Sequence, residues 1–300
     1  MAAGPNGSRP ITAPDIVAAK GGEPLVMVTA YDAPSARVVD GAGVDMILVG
    51  DTLAMVVLGY DDTLKVTTED MAHHVGAVAR TKPRALVVAD LPWMSYHVTR
   101  DETVANAARL VRAGAAAVKL EGGHKRVDAV GAILDAEIPV MGHLGLTPQS
   151  INKLGGYRVQ GKTLEAVQRI ADDAAALEEA GAFAVLLEAM PAEAAALVAE
   201  RVGILVYGIG AGPHVDGQLV ISHDALGNFV GEIRPRFVKR YAEVGRDIER
   251  AAREYAADVR AGRFPADEHC YAIAPDCEAE IRAARRLAAR PASPYAPALP

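Results

Sequence analysis

Cysteine, aromatic residues and long apolar runs are all scarce in this chain, and each shortage removes a class of protein. The two cysteines are Cys270 and Cys277, close together near the C-terminus. Two cannot build a disulfide scaffold, and their spacing matches no common zinc pattern, so both are expected to be free thiols. Aromatic residues make up 5% of the chain against 51% hydrophobic. The core must therefore be aliphatic, rich in Ala, Val and Leu. No stretch approaches the ~18 apolar residues that a membrane span requires. The N-terminus, MAAGPNGSRPITAP, has no apolar signal core. The expectation is a cytosolic protein with no membrane partner. A Lys/Arg-dense stripe with interleaved aromatics is also missing, and the net charge is −7, which argues against nucleic acid as the main partner.

What the chain does have is a set of short apolar runs that carry charge at their ends. They are MILVGD (46–51), ALVVAD (85–90), AVKLEGG (117–123) and AVLLEAM (184–190). They bring Asp51, Asp90, Lys119, Glu121 and Glu188. A β-branched-rich run ending in a carboxylate reads as a buried parallel strand that delivers a charge to its C-terminal end. Several such strands gather the charges at one mouth. Clustered carboxylates repel, so they call for a cation between them.

Strands are expected at 25–30, 45–50, 85–90, 115–120, 138–142, 183–188, 204–209 and 218–222. Helices are expected at 14–20, 34–42, 68–80, 101–113, 125–136, 163–180, 192–201 and over a long stretch near 235–261. Thr67 with Asp70 offers an N-cap and an acid three residues on, opening the helix at 68. Eight strand-like runs separated by helices favour a (β/α)8 barrel over a doubly wound open sheet. One barrel domain is expected over 11–275. Residues 1–10, rich in Gly, Pro and Ser, are expected to be disordered, and 276–300 to be a partly disordered extension.

Barrel chemistry sits on the loops after the strands. That rule selects Asp51, Asp90, Lys119, Glu121, His143 and Glu188. Each alone reads more readily as a cap or turn residue; six on consecutive strands read as a site. Oxygen ligands without nearby Cys or paired His favour Mg2+ over Zn2+. Lys119 and Glu121 lie two apart, so they share a face; Lys119 either holds an anionic substrate or makes a structural ion pair. Glu188, approached by apolar residues, suits a general base. His143 could tune that base, bind substrate or ligate metal. The run from Gly208 to Gly212 is a weak phosphate-loop signal, better read as a flexible loop over the mouth. His73 and His74 are expected on the surface or at an interface.

Seven ordered motifs carry a resemblance. VTAYD (28–32), VGDTLAMVVLGYDDT (49–63), VVADLPWMSY (87–96), VKLEGG (118–123), GHLGLTPQSINKLGGYRVQGK (142–162), GIGAGPHVDGQLV (208–220) and FPADEH (264–269) together resemble the ketopantoate hydroxymethyltransferase family. The resemblance spans roughly residues 11–270 and implies a (β/α)8 TIM barrel of the phosphoenolpyruvate/pyruvate superfamily. It implies transfer of a hydroxymethyl unit from 5,10-methylenetetrahydrofolate to 3-methyl-2-oxobutanoate, for pantothenate and coenzyme A synthesis. The family's Mg2+ carboxylates fall on Asp51 and Asp90, with Glu121 nearby, often through water. Its substrate-holding lysine falls on Lys119, its catalytic glutamate on Glu188 and its motif histidine on His143. Homo-oligomers, commonly decamers, are implied as well.

The chain departs from the family pattern in places. The usual Asp-Ser-Leu-Gly reads Asp51-Thr52-Leu53-Ala54, so a substrate-contacting serine becomes Thr52. Cys270 replaces a serine at a peripheral position. Tyr207 stands where a small aliphatic residue is usual. Thr52, Ala54 and Tyr207 leave open a paralogue acting on another 2-oxo acid. A Mg2+-dependent lyase or mutase of the same superfamily is a further alternative, although the cysteine common in its lyases is absent. A catalytically silent assembly protein is opposed by the full set of candidate catalytic residues.

Overall fold

The eight apolar runs all become strands, and the strands close on themselves. In the computed structural model, which describes residues 9–228 and 235–287, they are β1 Leu25–Thr29, β2 Met46–Val49, β3 Leu86–Asp90, β4 Ala117–Glu121, β5 Val140–Gly145, β6 Ala184–Glu188, β7 Leu205–Ile209 and β8 Gly217–Val220. Each pairs in parallel with the next, and β8 pairs with β1, giving a closed barrel. The helices of the barrel unit are α1 Ala13–Ala18, α2 Ala33–Gly41, α3 Leu53–Val56, α4 Thr68–Ala79, α5 Arg100–Ala113, α6 Val127–Asp135, α7 Ile151–Leu154, α8 Leu164–Glu179, α9 Ala192–Arg201 and α10 Ser222–Ala225. The chain divides by backbone contacts into this unit, up to Gly245, and a second from Arg246. The expected domain of 11–275 spans both. Among the described residues no helix is long and apolar enough to cross a membrane.

Local signals explain the element starts. Thr67 Oγ1 accepts the Asp70 N–H (3.2 Å) and Asp70 Oδ2 accepts the Thr67 N–H (2.9 Å), the reciprocal cap expected for α4. Period-two alternation then sorts each strand. Met46 and Leu48 join the inner core with Leu86, Val88, Met141 and Leu186. Ile47 and Val49 join the outer core between barrel and helices. The same parity carries Asp90, Lys119, Glu121, His143 and Glu188 inward at the C-terminal ends.

Tyr207 belongs to the inner core and is fully buried. It pairs in register with Gly217, where a Cβ would lie 2.6 Å from the Tyr207 ring. The ring occupies space that the glycine leaves empty. Tyr207 does not line the cavity at the barrel mouth.

Three expectations change. The pattern over 235–261 predicts one helix, but α11 is Val244–Arg260. Residues 229–234 lie outside the described ones. Beyond them, the Tyr241 N–H donates to Ala225 O (2.7 Å) and the Val244 N–H to Leu226 O (3.0 Å), so bonds to the end of α10 replace a helical ladder. The loop after β7 is pinned rather than loose: the Met190 N–H donates to Gly210 O (3.1 Å) and Gln218 Nε2 to Gly212 O (2.9 Å). His74 is half-buried, with Nδ1 2.6 Å from Tyr31 O, so it ties α4 to the turn after β1. In the second unit, α12 spans Pro275–Leu287, and Cys270 and Cys277 are free and exposed. The disorder expected for 1–10 and for the end of the tail falls mostly on residues outside the described ones.

The Tyr207 hydroxyl has no hydrogen-bond partner among the described residues. Tyr207→Phe therefore removes no protein hydrogen bond. We expect stability in urea unchanged or raised, within about 1 kcal/mol, and no change in substrate KM.

Candidate active site

The inward charges meet at one mouth because strand register aligns them. Asp90 pairs with Lys119, Glu121 with His143 and Gly145 with Glu188. Gly145 has φ +85°, and a Cβ there would sit 2.4 Å from the Glu188 carbonyl oxygen. Only glycine lets β5 end this close to β6. Asp51 arrives from the turn after β2, where its backbone N–H donates to Asp90 Oδ2 (3.0 Å). A cavity of about 20 Å³ lies here, lined by Asp51, Thr52, Asp90, Lys119, Glu121, His143 and Glu188 among others. The structure thus brings all seven predicted site residues together. A larger cavity, about 530 Å³, lies at the N-terminal end of the barrel beside α1 and is lined mainly by apolar side chains such as Val17, Leu134 and Phe183. It holds none of this chemistry.

The site is buried and crowded with charge. Asp51, Asp90, Lys119, Glu121 and His143 are each at most 5% exposed. Lys119 Nζ sits 2.8 Å from Asp90 Oδ1. Burial opposes the lysine charge, but Asp90, Glu121 and Asp51 outweigh it and raise the ammonium pKa. Burial, with Asp90 and Glu121 adding repulsion, pushes the Asp51 carboxyl well above the ordinary range. Burial likewise lifts Glu121 to about 8, against the pull of Lys119. One lysine thus faces three carboxylates.

Glu188 differs from these groups because its side chain is 16% exposed, at the opening. His143 lies behind it, with Nε2 3.2 Å from Glu188 Oε2. On its other side, His143 Nδ1 is 3.3 Å from Glu121 Oε1 and 3.4 Å from Lys119 Nζ. Burial and the nearby Lys119 lower the His143 pKa, which keeps the imidazole neutral at pH 7. Burial raises the Glu188 carboxyl, partly offset by His143. A carboxyl with raised basicity at the opening is suited to proton transfer. Thr52 Oγ1 is 2.8 Å from the Tyr31 hydroxyl, so a buried phenol holds it.

Two neighbours escaped the sequence reading. Gln149 and Tyr96 are both buried and hydrogen-bond to Asp51 and Glu121 respectively. Each lies in a quoted motif, on a loop after a strand, and that position was the available signal.

Among the described residues Lys119 is the only lysine or arginine lining this cavity. Lys119→Met would leave buried carboxylates uncompensated. We expect a loss of about 3–5 kcal/mol in urea unfolding. The carboxyls of Asp51 and Glu121, their folded pKa values raised further without the lysine, take up protons at low pH. The loss should therefore be larger at pH 8 than at pH 5.

Comparison with known proteins identifies relatives of the whole chain. The family model described as ketopantoate hydroxymethyltransferase matches residues 10–267. The 3-methyl-2-oxobutanoate hydroxymethyltransferase of Syntrophomonas wolfei is 52% identical over 252 residues, covering 84% of this chain and 91% of the relative. That of Ignicoccus hospitalis is 54% identical over 248 residues, covering 83% and 94%. Among solved structures, phosphonopyruvate hydrolase aligns with a TM-score of 0.59 at 14% identity, covering 94% of this chain and 98% of that one. 2,3-Dimethylmalate lyase, a member of the PEP mutase/isocitrate lyase superfamily, aligns with a TM-score of 0.55 at 17% identity, covering 92% and 97%. These structural likenesses extend to the fold alone. With a family model over most of its length and relatives about half identical to it, the chain belongs to the ketopantoate hydroxymethyltransferase family.

Proposed function

We propose that this chain transfers a hydroxymethyl group from 5,10-methylenetetrahydrofolate to 3-methyl-2-oxobutanoate, yielding 2-dehydropantoate for pantothenate and coenzyme A synthesis in the cytosol. The observation that carries the reading is Glu188. It is a carboxylate of raised pKa at the opening, facing a cavity whose far wall holds Lys119, Asp51 and Asp90.

Mg2+ is the metal this donor set fits. Asp51 and Asp90 are buried, adjacent and in excess of the local positive charge. Among the described residues no three His, Cys, Asp or Glu side chains are arranged as a metal cage. Two carboxylates suit a cation that keeps positions for water and substrate, and lack the third side-chain ligand usual for zinc. We assign the direct contacts to Asp51 and Asp90, and to Glu121 a contact through water. When bound, Mg2+ would supply Lewis-acid stabilisation of negative charge on the 2-oxo group.

The side chains then divide the work. Lys119, kept charged by its carboxylates, offers its ammonium to the acid group of the substrate. Thr52, steadied by Tyr31, offers its hydroxyl to the same ligand. Glu188 takes the proton from C3, C3 forms the new carbon–carbon bond to the one-carbon unit, and the two carbon–nitrogen bonds that held this unit break, so that tetrahydrofolate leaves with one proton from C3 and one from water. Water supplies the hydroxyl of the product. His143 is a positioning residue, because it is buried behind Glu188 and lies 3.2 Å from its Oε2.

Deuterium exchange at C3 of 3-methyl-2-oxobutanoate, run without folate, tests the base. Glu188→Gln should lose exchange ~10²-fold or more while still binding the 2-oxo acid. EDTA should abolish exchange in the wild type and Mg2+ restore it. Because the Glu188 pKa is raised, its basic form is lost on acidification before an ordinary glutamate would be. The acid limb of exchange should fall above the ordinary value of ~4.3. Wild-type exchange in Glu188→Gln would transfer the role to another group.

Thr52 tests substrate contact. Thr52→Ser should stay within roughly tenfold of wild type, since one methyl in a pocket is worth about 1–3 kcal/mol at most. Thr52→Val keeps the shape, deletes the hydroxyl and should raise KM. Equal KM values for Val and Thr would remove Thr52 from the substrate contacts.

We also propose assembly into a decamer. The support is an apolar stripe on α11, Ile248, Tyr255 and Val259, each exposed and spaced near a helical period. Ten copies of a 31.4 kDa chain make about 314 kDa, which light scattering on a column would detect. A clean monomer at micromolar concentration would refute it.

A further inference from the structure

Behind Asp51 and Glu121 lies a buried hydrogen-bond chain. It starts at the Glu121 backbone N–H, which can only donate and does so to the Tyr96 hydroxyl oxygen (3.1 Å). The Tyr96 proton has two acceptors in reach, Gln149 Oε1 at 2.5 Å and the Glu121 carbonyl oxygen at 3.4 Å, and the shorter bond to Gln149 is the stronger. At the far end of the amide, Leu91 O can only accept, and Gln149 Nε2 donates to it at 2.9 Å. The second Nε2 hydrogen goes to Asp51 Oδ2 at 2.8 Å. The fixed acceptor at the Leu91 end sets the amide orientation, because a flipped Gln149 would lose its hydrogen bonds to Leu91 O and Asp51 Oδ2. The Gln149 backbone N–H also donates to Glu121 Oε2 (3.0 Å). Gln149 thus grips Asp51 with its side chain and Glu121 with its main chain. Tyr96, Gln149, Asp51 and Glu121 are all at most 6% exposed.

We propose that Gln149, locked by Tyr96, is a positioning residue for metal binding. It commits Asp51 Oδ2 to the protein and leaves Oδ1 to serve the cation. This rests on the reading above that Asp51 holds Mg2+. The amide cannot take a proton and donates along a fixed line, so it orders the carboxylate before the cation arrives. Partners behind a metal ligand commonly tune affinity in this way. Tyr96 acts one bond further back, and its removal frees the amide to turn.

Calorimetric titration with Mg2+ alone, without either substrate, tests the proposal. Gln149→Leu should weaken Mg2+ binding by ~10–100-fold. Tyr96→Phe keeps the ring and should weaken binding less, in the same direction. The double variant should bind no more weakly than Gln149→Leu alone, since both changes break one chain. Thermal unfolding of the Mg2+-free proteins is recorded alongside; a purely structural role would shift the melting temperature and leave the Mg2+ Kd unmoved. If Gln149→Leu does not fold, Tyr96→Phe carries the test by itself. Wild-type Mg2+ affinity in the folded variants, with affinity lost in Asp51→Asn, would overturn this inference and spare the reading of Asp51. Wild-type affinity in Asp51→Asn would overturn both.

Discussion

The ion pair between Lys119 and Asp90, 2.8 Å apart and almost wholly buried, is the contact on which the upper barrel depends. Without a cation between the strands, Asp51, Asp90 and Glu121 would face one another in a region shielded from water. Such a cluster is stable only if some carboxyls take up protons or positive charge is supplied. Lys119 supplies one charge. The carboxyls of Asp51 and Glu121 respond with raised pKa values, which marks the remaining imbalance. The site is therefore built under electrostatic load, and that load is what a divalent cation would relieve. The lower barrel carries no such load. Its inner core is apolar, closed by Met27, Met46, Leu205 and the ring of Tyr207 against Gly217.

Charge and burial also explain the separation of roles between two neighbouring bases. His143 and Glu188 lie 3.2 Å apart, yet only Glu188 reaches the opening. His143 is enclosed by Glu121, Lys119 and Glu188, and its pKa is lowered. A neutral imidazole in that setting orients its neighbour more readily than it exchanges protons with a ligand. The hydrogen bonds of Gln149 and Tyr96 serve the carboxylates on the other wall in a comparable way. Both walls thus have a reactive or ligating group in front and a neutral polar group behind it.

Departures from the family pattern fall into distinct places once the fold is known. Thr52 lines the cavity and hydrogen-bonds to Tyr31, so its extra methyl is a change in the pocket. Ala54 is buried in α3, one turn from the site, among core side chains. Tyr207 lies in the inner core and fills a gap opposite a glycine. Of the three, only Thr52 lines the cavity.

The strands and their charged ends were legible in the sequence because both depend on local periodicity. Alternation of two assigns Lys119 and Glu121 to one face, and a run such as ALVVAD announces a buried strand that ends in a carboxylate. Capping by Thr67 and Asp70 is equally local. The long helix over 235–261 failed as a single element because its first part is held by bonds to α10, which no spacing within the segment encodes. Gln149 and Tyr96 escaped for the same reason. They lie 53 positions apart and meet only when β3 and β5, each one strand away from β4, bring their following loops together. The sequence by itself determined which residues point inward and at which strand ends the charges collect. Tertiary structure alone decided which charges pair, which carboxyl reaches the opening and which neutral groups hold the rest, because those depend on distances set by barrel closure.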